Sequence, residues 1–122
     1  MRCLFVDDSG VIRKVARRIL SGAGLDVIEA GLGSEALGFC AAEMPDIVVL
    51  DGFLPDMDTV EVIRHIRAMP AGGHPRIVIC LVEKDVGSIM RAKRAGAQGY
   101  LLKPFDRLSL LSRMQEFSAA AA

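Results

Sequence analysis

Apolar residues come in two rhythms that alternate along this chain. Short continuous runs, Cys3-Leu4-Phe5-Val6, Val27-Ile28, Ile47-Val48-Val49-Leu50, Ile77-Val78-Ile79-Cys80-Leu81 and Tyr100-Leu101-Leu102, predict strands. Most are too uniformly apolar to leave one face in water. Between them apolar residues recur at helical spacing: Ile12, Val15, Ala16 and Ile19, then Ala36, Leu37, Cys40, Ala41 and Met44, then Val60, Ile63 and Ile66. A fourth helix is predicted from near Asp85 to a stop at Gly96, and a fifth carries Leu110, Leu111, Met114 and Phe117. Five successive β–α pairs predict an α/β fold, a doubly wound five-stranded parallel sheet with helices on both faces and right-handed crossovers. Ligands in such folds bind outside the carboxyl ends of the strands.

Length and composition narrow the function. The 122 residues suit one domain, assigned to 1–118, and the alanine run at 119–122 is expected to fray. Basic and acidic residues number 15 each, so no overall field favours direct binding to nucleic acid or anionic lipid. With no run long enough to span a bilayer and no signal peptide, a cytoplasmic location without a membrane partner is expected. Cys3, Cys40 and Cys80 are odd in number, far apart and set among apolar neighbours, so they read as reduced core residues. His65 and His74 lack metal-ligand spacing and read as surface residues. Gly31-Leu32-Gly33-Ser34 lacks the third glycine of a dinucleotide loop, and Ser34 is read as a helix cap. Neither GxxxxGK[ST] nor GxSxG occurs, which removes support for nucleotide and acyl-transfer chemistry.

Candidate chemistry emerges from the residues that follow each apolar run, because they share one rim of the sheet. The first strand delivers Asp7 and Asp8, the third Asp51, the fourth Leu81 to Glu83, and the fifth Lys103 and Pro104. Two carboxylates about 4 Å apart repel by roughly 4 kcal/mol at an effective dielectric near 20, so this rim needs a counter-ion beyond one lysine. Mg²⁺ suits such oxygen ligands, and a carboxylate beside Mg²⁺ and an ammonium is a competent nucleophile towards phosphorus. The product would be an aspartyl phosphate.

Three motifs, Val6-Asp7-Asp8-Ser9, Val49-Leu50-Asp51-Gly52-Phe53-Leu54-Pro55 and Gly96-Ala97-Gln98-Gly99-Tyr100-Leu101-Leu102-Lys103-Pro104-Phe105, occur in that order. Together they make the chain resemble the response-regulator receiver domains of two-component signalling, chemotaxis-type single-domain regulators most closely. The resemblance implies a flavodoxin-like receiver fold with strand order 2-1-3-4-5. It further implies Asp51 as phosphoacceptor, Lys103 and the Val82 backbone N–H as phosphoryl contacts, and Mg²⁺ held by Asp7, Asp8, Asp51 and the Phe53 carbonyl. Lys103-Pro104 is expected to be cis. A histidine kinase or phosphotransfer protein would donate the phosphoryl group. A downstream protein would read the face formed by the fourth helix, fifth strand and fifth helix. The chain would be a switch and not an enzyme.

Leu81 stands where the family usually has the serine or threonine that grips the phosphoryl group, and Tyr100 matches the aromatic that responds to it. Leu81, Tyr100 and Pro104 are therefore the expected switch positions, with phosphorylation retained and signalling altered. Thr59 replaces a glycine common among relatives, while Phe53 and Glu83 are expected to limit or guide the water that hydrolyses the acyl phosphate. The basic stripe Arg13, Lys14, Arg17 and Arg18 reads either as solvated surface or as a docking site for the donor protein. Arg91, Lys93 and Arg94 carry the same two readings. Three alternatives stand beside the switch: a phosphorylation-independent receiver-like interaction module; a receiver domain cut from a longer regulator; and a haloacid-dehalogenase-type phosphatase, suggested by Asp56-Met57-Asp58-Thr59-Val60. Against the phosphatase, that motif follows Pro55 and not the first strand.

Overall fold

The computed structural model describes residues 1–121, with side chains through Phe117. The element order is β1 (Arg2–Val6), α1 (Gly10–Gly22), β2 (Asp26–Ala30), α2 (Gly33–Ala42), β3 (Ile47–Asp51), α3 (Thr59–Ala68), β4 (Arg76–Leu81), α4 (Val86–Ala95), β5 (Gly99–Leu102) and α5 (Arg107–Ala121). All neighbouring strands are parallel, in the order β2-β1-β3-β4-β5. The fraying expected at 119–122 concerns side chains, and for Ala122 the backbone also, that lie outside the described residues.

Alternation along the buried strands divides the core into two layers. Leu4, Val6, Val48, Leu50, Ile77 and Ile79 meet α2, α3 and α4 through Ala36, Cys40, Val62, Ile63, Ile66, Ile89 and Ala92. Cys3, Phe5, Ile47, Val49, Val78, Cys80 and Leu101 meet α1 and α5 through Ala16, Ile19, Leu20, Leu110, Met114 and Phe117. The three cysteines are free and buried as expected, and burial pushes the thiols up, to about 12 for Cys3 and Cys80 and about 11 for Cys40. Both histidines are exposed as predicted, although His74 Nε2 also bonds Asp46 Oδ1 at 2.8 Å.

Helix faces depart from the predicted pattern in places. Val15 and Ala41 are exposed, and Met44 lies beyond the end of α2, packing on the core from the loop. Leu20, absent from the predicted stripe, is fully buried. Asp85 caps α4 and Gly96 ends it at φ 124°, a left-handed conformation that glycine adopts without a Cβ penalty.

The expectation for Ser34 is corrected. It lies inside α2, whose Leu32 N-cap makes no side-chain bond. Asp56 supplies the missing acceptor from the β3–α3 loop: its two carboxylate oxygens accept the Gly33 and Ser34 N–H groups at 2.8 and 3.0 Å. A carboxylate satisfies two free N–H groups and the positive helix end together, which one hydroxyl cannot do.

Candidate phosphoryl-transfer site

Each parallel strand carries its last residue to the same rim, and the rim is acidic. Asp7, just after β1, is 1% exposed; its Oδ1 accepts the Ser9 N–H at 2.9 Å, and Ser9 in turn caps α1 through its hydroxyl. The final residue of fully buried β3 is Asp51, itself buried. Lys103 follows β5; its backbone N–H bonds the Leu81 carbonyl at 2.7 Å, and the Lys103-Pro104 peptide is cis. The Lys103 ammonium bridges Asp7 Oδ2 at 3.1 Å and Asp51 Oδ1 at 3.2 Å. Exposed Asp8 completes a cluster in which one oxygen from each of Asp7, Asp8 and Asp51 lies within 4.8 Å of the others.

Burial raises the Asp51 carboxyl above the ordinary carboxylate range; the Asp7 charge adds to the rise, while Lys103 opposes it. For Lys103 burial alone would lower the ammonium, but hydrogen bonds and charge from Asp7 and Asp51 outweigh it and the net shift is upward. Three carboxylates against one ammonium leave negative charge at an exposed opening. An oxygen-only donor set of this kind fits a hard divalent cation. Phe53 is tethered beside it by a 3.4 Å N–H bond to Asp51 Oδ1, while the residue as a whole is largely exposed.

Thr59 has a role that sequence reading missed. Its buried hydroxyl donates to the Asp51 main-chain carbonyl at 2.8 Å, tying the first residue of α3 to the end of β3. The available signal was a hydroxyl directly after Asp58, the α3 cap, in a loop that must return to Asp51. Asp56 and Asp58 are both engaged as helix caps, so the phosphatase-like pattern is accounted for structurally.

Leu81 is partly buried and packs on the α3–α4 side of the core together with Tyr100. The Tyr100 ring has Arg113 Cζ 4.9 Å and Lys84 Nζ 5.8 Å from its centroid. Half of the α1 stripe is engaged within the fold. Arg13 donates to the Asp7 carbonyl at 2.6 Å and to Glu29, and Arg17 bonds Glu29 at 2.9 Å, whereas Lys14 and Arg18 are exposed. Beside them, Val11, Ile12, Val15, Val82, Pro104 and Phe105 border a largely apolar cleft of about 430 Å³ that reaches Lys103.

The family model described as the response regulator receiver domain matches residues 3–115. The chain belongs to this receiver-domain family. Among relatives, the receiver domain resembles the response regulator MprA of Mycobacterium avium (strain 104), at 39% identity over 115 residues, 94% of this chain and 50% of MprA. Identity to MprA of Mycobacterium tuberculosis (strain ATCC 25618 / H37Rv) is 38% over 94% of this chain. The receiver domain thus spans about half the length of the curated relatives it matches. In three dimensions it resembles the chemotaxis response regulator CheY4 of Vibrio cholerae with a TM-score of 0.91 at 30% identity, covering 95% of this chain and 97% of CheY4. A CheY-like receiver domain protein from Methanospirillum hungatei JF-1 aligns with a TM-score of 0.90 at 25% identity, covering 98% and 94%. The fold and family expected from the motifs are therefore borne out. No helix among the described residues is long and apolar enough to cross a membrane.

Proposed function

We propose that this receiver domain accepts a phosphoryl group on Asp51 and signals through protein contacts. The observation carrying the reading is the Lys103 ammonium, bonded to both Asp7 and Asp51 beside exposed Asp8. A phosphohistidine on a histidine kinase or phosphotransfer protein is the proposed donor. An Asp51 oxygen attacks phosphorus and forms the acyl C–O–P linkage. The P–N bond breaks with its electron pair going to the imidazole nitrogen, which a solvent proton neutralises. Lys103 and the Val82 N–H receive the phosphoryl oxygens; among the described residues that N–H meets no acceptor. Mg²⁺, held by Asp7, Asp8, Asp51 and the Phe53 carbonyl, would supply further positive charge to the transferring group.

The apolar cleft beside α1, with exposed Lys14 and Arg18 near it, suits the amphipathic surface of a donor protein. Output through the α4-β5-α5 face is supported by exposed Val86, Met90 and Leu102. A second reading, a phosphorylation-independent interaction module, is favoured by Leu81, which has no hydroxyl to couple the acceptor to that face. The test is intact mass after incubation with Mg²⁺ and a small-molecule phosphodonor. One added phosphoryl group is expected on the native chain and none on Asp51→Asn. Equal labelling of both would overturn Asp51 as acceptor. If neither is labelled even by a cognate kinase, the interaction module becomes the better reading.

A further inference from the structure

Leucine at position 81 has a structural counterpart in the residue next to the acceptor, Gly52. The ends of β3, β4 and β5 are tied in a row: the Gly52 N–H donates to the Cys80 carbonyl at 2.8 Å, and the Lys103 N–H to the Leu81 carbonyl at 2.7 Å. Leu81 lies on the face shared with Ile77 and Ile79, and its side chain crosses over Gly52. A Cβ built on Gly52 would fall inside the van der Waals envelope of Leu81 Cδ2 and 3.1 Å from the Cys80 carbonyl oxygen. The isobutyl group therefore fills the volume that any side chain at position 52 would need. A glycine beside the acceptor and a leucine in place of the hydroxyl are shape-matched.

We propose that Gly52 and Leu81 form a packing interlock that positions the Val82 N–H for the phosphoryl group and holds the β4–α4 segment in one arrangement. The use of that N–H rests on Asp51 being the acceptor; the interlock itself does not. Leu81 is seated on Gly52 below and packs in the same core layer as Tyr100. The next residue, Val82, lies just past the end of β4, is 72% exposed and lines the same cleft as Lys103. Packing in this arrangement fixes the segment by shape, where a hydroxyl would grip the phosphoryl group and couple it to movement. Phosphorylation then proceeds without rotation of residue 81, and Tyr100 keeps its contacts with Arg113 and Lys84.

Displaced by a larger residue at 52, Leu81 has somewhere to go. A cleft of about 340 Å³ between α3 and α4 is bordered by Gly52, Thr59, Leu81, Ser88 and Arg91. Gly52→Ala is thus expected to fold with Leu81 pushed aside. The experiment is a double-mutant cycle of Gly52→Ala, Leu81→Ala and the pair, read in two ways. The first reading is phosphorylation rate with a small-molecule donor and saturating Mg²⁺. Gly52→Ala is expected to be slower by about tenfold, as overpacking shifts the donor amide, and adding Leu81→Ala to recover most of that loss. The second is tyrosine emission, which reports Tyr100 alone because the chain has one tyrosine and no tryptophan. Emission should change in Gly52→Ala, return towards native in the pair, and stay constant when the native chain is phosphorylated. An unchanged rate and emission in Gly52→Ala, or no recovery in the pair, would overturn the interlock. Constant pairing behaviour with a native emission change on phosphorylation would overturn the fixed arrangement. If the native chain takes up no phosphoryl group, the acceptor reading and the role of the Val82 amide fall together, and the emission cycle alone decides the interlock.

Discussion

Thr59 gives the acceptor a support that neither charge nor metal supplies. Its hydroxyl satisfies the Asp51 carbonyl inside the protein, where an unmet acceptor costs about 1–3 kcal/mol. Thr59→Val keeps the shape and removes the donor, so urea unfolding should lose stability of that order and phosphorylation of Asp51 should slow. Thr59→Ser should restore both. The residues at strand ends, Asp7, Asp51 and Lys103, were legible because a buried run announces where its strand stops. Thr59 was not legible as a contact, because its partner is a backbone atom eight positions away with no side-chain signature. Asp46 is a second case: its carboxylate accepts the Arg2 N–H at 2.8 Å and bonds His74, and these contacts hold it below the ordinary carboxylate range. A depressed carboxyl stabilises the fold above its unfolded value, about 3.9, and loses that contribution as pH falls towards the depressed value. Asp46→Asn should therefore lower the Tm at neutral pH. The gap from native should narrow as pH drops below about 4 in thermal melts.

At the scale of elements, the departures came from tertiary partners. Ser9, Asp58 and Asp85 cap α1, α3 and α4, each from the position next to the helix it serves. Ser34 was misassigned as the α2 cap because Asp56 reaches that helix from 22 and 23 residues away. The two N–H bonds hold the Asp56 carboxyl below its ordinary range, with the Ser34 bond the larger cause. Asp56→Ala should lower the Tm by a few degrees and leave labelling of Asp51 intact, which intact mass and melting on the same sample would read together. Loss of labelling without loss of stability would instead return Asp56 to the chemistry. Arg67 is the corresponding fastener at the other end of α3, donating to the Gly72, Pro75 and Gly96 carbonyls and to Gln98 Oε1. It joins the α3–β4 and α4–β5 loops in a way that no helix or strand pattern encodes.

For the whole molecule, periodicity conveyed the layers but not the order of strands. Five runs buried on both faces define a doubly wound sheet, yet each is apolar enough to pair with any other, so the order 2-1-3-4-5 came through motif resemblance. That order gathers charge at the rim beside the β1–β3 pair, where Asp7, Asp8 and Asp51 face a single ammonium. In the cation-free protein ionised Asp51 works against folding, because burial and Asp7 raise its carboxyl. A divalent cation that binds this cluster and scarcely binds the unfolded chain stabilises by mass action, about 2.7 kcal/mol at a hundred times its Kd. For a domain of this size that corresponds to a Tm rise on the order of 10 °C. Thermal melts across a Mg²⁺ titration should therefore climb for the native chain and stay flat for Asp8→Ala. Asp51→Asn should begin higher than native without cation, because it removes the repulsion, and gain less from Mg²⁺, because it removes a ligand. A native curve flat in Mg²⁺, or an Asp8→Ala curve that climbs equally, would mean that the cluster tolerates its own charge through Lys103 alone.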